Sequence, residues 1–188
     1  MKAYRDVALQ PASQPLLADD LIEFHLARIL LLLRLCGRND RIAGLTKFAK
    51  LDFFVRYPEF FERARERTVG VSDDGIPSAV TDTRVESSMV RHHYGPWDKR
   101  YYQLLSQLGA SSLVKVVKSG VTYNIELTEA GVTYAERLRK DDAFAQLVAH
   151  MQKVSKVFGG KNGNTLKNLI YETFGDEVAD RPLGKEIR

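Results

Sequence analysis

The chain has 188 residues, of which 44% are hydrophobic and 28% charged, with a formal net charge of +4. That is the profile of an ordinary globular protein with enough apolar material for a core, so a disulfide or metal staple is not required. The mildly basic balance permits contact with phosphates without demanding it.

The opening stretch, MKAYRDVALQPASQ, has no apolar core of the kind a signal peptide carries. The longest apolar run is Ile29 to Leu33. Crossing a bilayer takes roughly 20 apolar residues, so no membrane segment is expected. Cys36 is the only cysteine and lies in an apolar run. It reads as a small buried hydrophobe, and the cytoplasm is the expected compartment.

Residues 1–18 carry Pro11 and Pro15 without periodicity and read as an irregular arm. Asp19 and Asp20 are candidate caps for a helix from Leu21 to Cys36. That helix is apolar around much of its circumference, so a central, buried position is expected, with Gly37 ending it. A second helix follows in LTKFAKLDFFVRYP, with Leu45, Phe48, Leu51, Phe54 and Val55 on one face and Lys47, Lys50 and Arg56 off it. Pro58 opens a short helix to Glu66 anchored by Phe60 and Phe61. Residues 67–84 combine glycines, a proline and small polar residues, the composition of a loop.

Val85 to His93 reads as a strand. Tyr94-Gly95-Pro96 reads as a turn, with Pro96 at the first position of a helix through Leu108. Trp97, Tyr101, Leu104, Leu105 and Leu108 point inward, and Gly109 ends the helix. Ser112–Lys118 and Val121–Leu127 are β-rich runs joined by Ser119-Gly120, a hairpin. Thr128 caps the next helix, whose apolar side holds Ala130, Tyr134, Ala135 and Leu138. A further helix over 141–157 leads through GGKNG to a helix capped by Asn164 and ending at Phe174.

Helix, hairpin, helix after a helical bundle is the layout of a winged helix. The expected fold class is therefore mainly α with a small β-hairpin wing. The units are an arm (1–18), a helix-turn-helix-like unit (19–66), a loop (67–84), a winged-helix unit (85–140) and C-terminal helices with a tail (141–188). The first helical unit could be a second winged helix with a degenerate wing, giving a tandem arrangement.

Catalytic chemistry finds little footing. His25 lies in an apolar helix, where a satisfied core histidine is the expected role. His92 and His93 face opposite ways in a strand and cannot share a metal. His150 is the fourth histidine, and no CxxC or HExxH spacing is present. There is no GxSxG elbow, and Cys36 has no base beside it in sequence. GGKNG lacks the order and the preceding strand of a phosphate loop, and reads as an inter-helix turn. Asp52, Asp73, Asp74, Asp82 and Asp98 are nuclease-like carboxylates that nothing in the spacing gathers together. No catalytic residue, metal site or cofactor is expected.

Binding chemistry has more support. Arg91, His92, Lys99 and Arg100 fall at the strand–helix junction, and Lys115 and Lys118 on the wing, interleaved with Tyr94, Trp97, Tyr101 and Tyr102. Arg91, Lys99, Arg100, Lys115 and Lys118 are the candidate DNA-phosphate contacts, while a solvated basic face would explain the same residues. No arginine can be assigned to a base edge, so non-specific DNA contact is the expectation.

Three stretches carry a resemblance: LTKFAKLDFFVRYPEFF (45–61), HHYGPWDKRYYQLLSQLGASSLVKV (92–116) with YNIELTEAG (123–131), and LIYETFGDEVADRPLGKEI (169–187). Together they resemble the small middle or accessory subunits of bacterial ABC-three-component defence systems, the group that includes Lamassu anti-phage systems. The resemblance implies a non-catalytic subunit beside an SMC/Rad50-like ATPase and an effector, often a nuclease. It transfers fold positions (Leu51, Phe54, Tyr57, Tyr94, Gly95, Pro96, Trp97) rather than functional residues. A stand-alone winged-helix transcriptional regulator is the alternative, and a metal-dependent nuclease the third possibility.

Overall fold

Five consecutive apolar residues, Ile29 to Leu33, are 2% exposed or less, so the helix that carries them has no outer face there. This is α1 (Ile22–Cys36), the axis of the computed structural model, which describes residues 21–69, 89–92 and 95–175. Around α1 pack α2 (Leu45–Arg56), α4 (Tyr101–Ala110), α5 (Glu129–Arg139) and α6 (Ala145–Phe158). α3 (Pro58–Val69) and α7 (Gly163–Phe174) complete the helices and pack on each other and on α2. The described residues are thus mainly helical, with a small three-stranded antiparallel sheet and a two-stranded ribbon.

The sheet joins the two halves of the sequence. β4 (Val114–Ser119) and β5 (Thr122–Leu127) form the expected hairpin. The third strand, β1 (Arg41–Ala43), comes from the first half and pairs with β5, Ile42 opposite Ile125. The sheet order is β1-β5-β4. β1 lies between Gly37, which ends the first helix, and Leu45, which opens the second, in a stretch read without a strand. Asn39 and Asp40, at φ 52 and 58, reverse the chain after α1, and these residue types tolerate that left-handed region. The Asp40 carbonyl then accepts from the Leu127 amide at 3.0 Å, fixing the turn to the sheet. The expected helix-turn-helix-like and winged units, 19–66 and 85–140, therefore share one sheet and one apolar core.

Local corrections have local causes. Ser119 pairs with Thr122, so the hairpin turn is Gly120-Val121 rather than Ser119-Gly120. Glycine has to take the first central position, where φ is 59. Gly95–Trp97 is a strand, β3, paired with β2 (Val90–His92), not a turn and a first helical residue. α4 starts later because the Asp98 carboxylate accepts the Arg100 amide at 2.8 Å, a turn-forming bond that precedes the helix. α3 runs on to Val69, into the expected loop. A 3-10 turn over Asp142–Phe144 precedes α6.

α7 is capped by Asn162, which accepts from the Thr165 amide at 2.8 Å, instead of by Asn164. Gly163 begins it because a Cβ there would lie 3.0 Å from the Lys47 amide nitrogen, where α7 crosses α2. Thr128 caps α5 as expected, accepting from the Gly131 amide at 3.0 Å. Residues 1–20, including the Asp19 and Asp20 caps, and 70–88, 93–94 and 176–188 lie outside the described residues.

Candidate functional site

The helix–hairpin face expected to meet DNA separates into unlike parts. Lys99 is exposed in the turn before α4. Arg100 is not a free cation: its guanidinium bonds both Asp98 oxygens, at 3.1 and 2.8 Å, and sits 2.8 Å from His25 Nε2. Arg91 has its backbone in β2, and its side chain lies outside the described residues. Lys115 pairs with Glu126 across the hairpin at 3.2 Å, and the Lys118 ammonium stands 5.8 Å from the Tyr123 ring centroid. Positions 115 and 118 differ in parity, so these two lysines project from opposite faces of the hairpin. The exposed surface of α4 carries Tyr102, Gln103, Ser106 and Gln107, none charged. The structure thus brings Lys115 and Lys118 to one hairpin and Lys99 to the turn before α4, while Arg100 is drawn inward.

The inward direction leads to a polar cluster between α1, α2 and α4 that spacing along the chain did not reveal. Arg28 and Asp52 form an ion pair at 3.0 Å with both side chains fully buried. The Tyr101 hydroxyl donates to the other Asp52 oxygen at 2.7 Å. His25 lies 2.8 Å from Arg28 through Nδ1, so its ring bridges Arg28 to Arg100. Guanidinium groups only donate and a neutral imidazole accepts at one nitrogen, so the two arginines compete for one lone pair. Arg56 reaches Asp98 at 2.8 Å, and Lys50 donates to the Pro96 carbonyl at 3.0 Å.

Lys50 and Arg56, read as lying off the apolar face of α2, are therefore interior. α2 is enclosed on every side from Phe48 onward, so no face of it remains for solvated charge. The signal for this cluster was present as charges embedded in apolar runs, FHLARILLLL and KFAKLDFFVRY. Such charges are retained inside only when paired or hydrogen-bonded.

The electrostatics follow from burial. Burial lowers Lys50 to about 7, with the Lys167 charge adding to the effect. Burial alone would raise Asp98, but hydrogen bonds from Arg100 and the charges of Arg56 and Arg100 hold it far below the usual carboxylate range. Burial and the Asp52 charge push the Tyr101 hydroxyl well above its ordinary value. Burial also pushes the Cys36 thiol up to about 12, so it stays protonated at neutral pH.

Two carboxylates named as nuclease-like, Asp52 and Asp98, are thus spent on arginines and a tyrosine. Asp73, Asp74 and Asp82 lie outside the described residues. Among the described residues no three His, Cys, Asp or Glu side chains are grouped to hold a metal ion. His150 donates through Nε2 to the Phe54 carbonyl at 2.9 Å and stacks edge-on against Phe61. GGKNG connects α6 to α7 beside an open polar cleft of about 370 Å3 lined by Thr46, Lys47, Asn162, Thr165 and Asn168. Lys47 there donates to the Gly159 carbonyl at 2.7 Å.

No family model, curated protein or solved structure matches the chain. No helix among the described residues is long and apolar enough to cross a membrane.

Proposed function

We propose that this chain is a non-catalytic accessory subunit built on a winged helix, working beside an SMC/Rad50-like ATPase in an anti-phage defence complex. In this reading it bridges the ATPase and an effector, and touches DNA through phosphates without sequence preference. The observation that carries the fold is the pairing of β1 with β5 in the order β1-β5-β4. Helix, short strand, helix, then helix and hairpin, with the short strand beside the hairpin's second strand, is the winged-helix arrangement. α1 and α2 are then its first two helices, α4 its third, and β4–β5 its wing. α3 and the β2–β3 ribbon are an insertion between the second and third helices.

Two further points support a binding role. The buried carboxylates are used to hold α1, α2 and α4 together, which is structural work. The resemblance of residues 45–61, 92–116, 123–131 and 169–187 to ABC-three-component accessory subunits supplies the partner class. Co-expression with the genes flanking it tests the reading. Co-purification with a long coiled-coil ATPase is the expected result, and purification without one contradicts it.

The surface of α4 favours one second reading. Tyr102, Gln103, Ser106 and Gln107 are exposed and neutral, and glutamine can read adenine through paired hydrogen bonds. A stand-alone regulator would be a symmetric dimer with half-sites about one helical turn apart. Sizing and footprinting the purified chain separate the two: a monomer with no sequence preference eliminates the regulator.

A further inference from the structure

β4 is an outer strand of the sheet, and among the described residues no strand lies along its other side. Its hydrogen-bonding phase follows from the register. Ser119 faces Thr122 across the turn, and the Thr128 amide donates to the Leu113 carbonyl at 3.0 Å. Bonded pairs alternate in an antiparallel ladder, so residues 113, 115, 117 and 119 aim their backbone at β5 and its continuation. Val114, Val116 and Lys118 aim theirs outward. The side chains from Lys115 to Ser119 are all exposed, which leaves this edge open.

An open row of alternating amides and carbonyls is a template for another strand. A nucleic-acid phosphate could accept from the amides but has no donor for the carbonyls. The flanking side chains narrow the partner further. Val116 and Val117, 48% and 41% exposed, give one apolar pad on each face of the edge. Lys118 shares the face of Val116, and Lys115 that of Val117. A second copy of β4 would bring two more lysines alongside these, which opposes self-pairing. The same lysines favour carboxylates on an incoming strand, with β-branched residues to cover the valines.

We propose that β4 is a docking edge that receives an extended, acidic strand from a partner protein as a fourth strand of the sheet. The proposal deepens the accessory-subunit reading and rests on it for the source of that strand. The test is amide hydrogen exchange of the full chain, read by NMR. The probes are a synthetic peptide of about ten residues alternating valine or threonine with glutamate, its lysine counterpart, and a short DNA duplex.

The expected result is slowed exchange at Val114, Val116 and Lys118 with the acidic peptide at up to about millimolar concentration, and not with the others. Val116→Pro deletes the central outward donor without touching the ladder to β5, and weakens the effect about tenfold. Lys115→Glu with Lys118→Glu transfers the preference to the lysine peptide, which keeps the test decisive if the proline variant misfolds. Protection by DNA, protection by self-association of the chain, or no protection at any concentration overturns the proposal. A co-purifying ATPase with no protected edge sinks the docking edge alone. A protected edge without any ATPase sinks the subunit reading alone.

Discussion

Arg28 of α1 and Asp52 of α2 meet at 3.0 Å with no solvent exposure on either side chain. Each charge has left water, so their attraction is strong while the desolvation of both opposes it. Removing one partner is therefore far more damaging than replacing both. Asp52→Asn should cost about 3 kcal/mol or more in urea unfolding. Tyr101→Phe, which loses the 2.7 Å bond to Asp52, should cost about 1–3 kcal/mol. The double variant should cost less than the sum, because both act through one carboxylate. Asp52→Asn within experimental error of the parent would show that the cluster is not holding α1 to α2.

Lys50 gives the fold a pH signature. Burial lowers it from 10.5 to about 7, so the native state sheds this proton before the unfolded chain does. Above 7 the unfolded state binds more protons, and stability should rise with pH by up to about 1.4 kcal/mol per unit. Below 7 both states are protonated and this contribution is flat. The clean window closes near 9, where the Cys36 thiol begins to act in the opposite sense, since its native value is raised to about 12. Lys50→Met should remove most of the rise between 7 and 9, leaving the part due to Lys47, which burial also lowers, and increase stability at neutral pH. Parallel stability–pH curves for parent and variant would refute the assignment.

Gly131 is where α5 approaches the start of the hairpin. A Cβ at this position would come within 2.0 Å of the Leu113 carbonyl oxygen. Gly131→Ala should cost about 2 kcal/mol or more by forcing the backbone apart. Thr128→Ala, which loses the cap to the Gly131 amide and the hydroxyl's shared bond to the Ser112 and Leu113 carbonyls at 2.7 and 3.3 Å, should cost about 1 kcal/mol. Thermal denaturation of both variants checks the order; a reversed ranking would contradict it.

The basic residues divide by what holds them. Replacing Lys115 and Lys118 together should lower the salt slope of DNA binding by about one unit rather than two, since one flat surface cannot meet both faces of the hairpin. Arg100→Gln should lower stability and leave that slope nearly unchanged, because the side chain is committed to Asp98 and His25. Binding titrations across a range of salt, with melting curves beside them, distinguish these outcomes.

Elements with strong periodicity or punctuation were readable from sequence. α1 announced itself through its all-round apolar surface, and the hairpin and α5 through Gly120 and Thr128. β1 did not, because three residues are too few to show alternation and their partner lies far along the chain. The Gly95–Trp97 strand was hidden by Pro96, which suits the first turn of a helix as well as a strand lacking one amide bond. The buried cluster escaped because Arg28 and Asp52 are 24 positions apart and Arg100 reaches His25 across 75, distances at which spacing carries no information. Arg100 was read as a surface cation because it stands beside Lys99, yet the two residues point to different environments.

The packing of α1 against helices made much later has a consequence during synthesis. Arg34 waits for Glu136, which is 102 residues downstream, and the Leu35 carbonyl for Ser155, 120 downstream. Until the ribosome has delivered α4 through α6, the apolar surface of α1 has only β1 and α2 to cover it. The nascent chain therefore passes through a stage in which this apolar helix is made but only partly sheathed, a condition under which chaperone assistance matters.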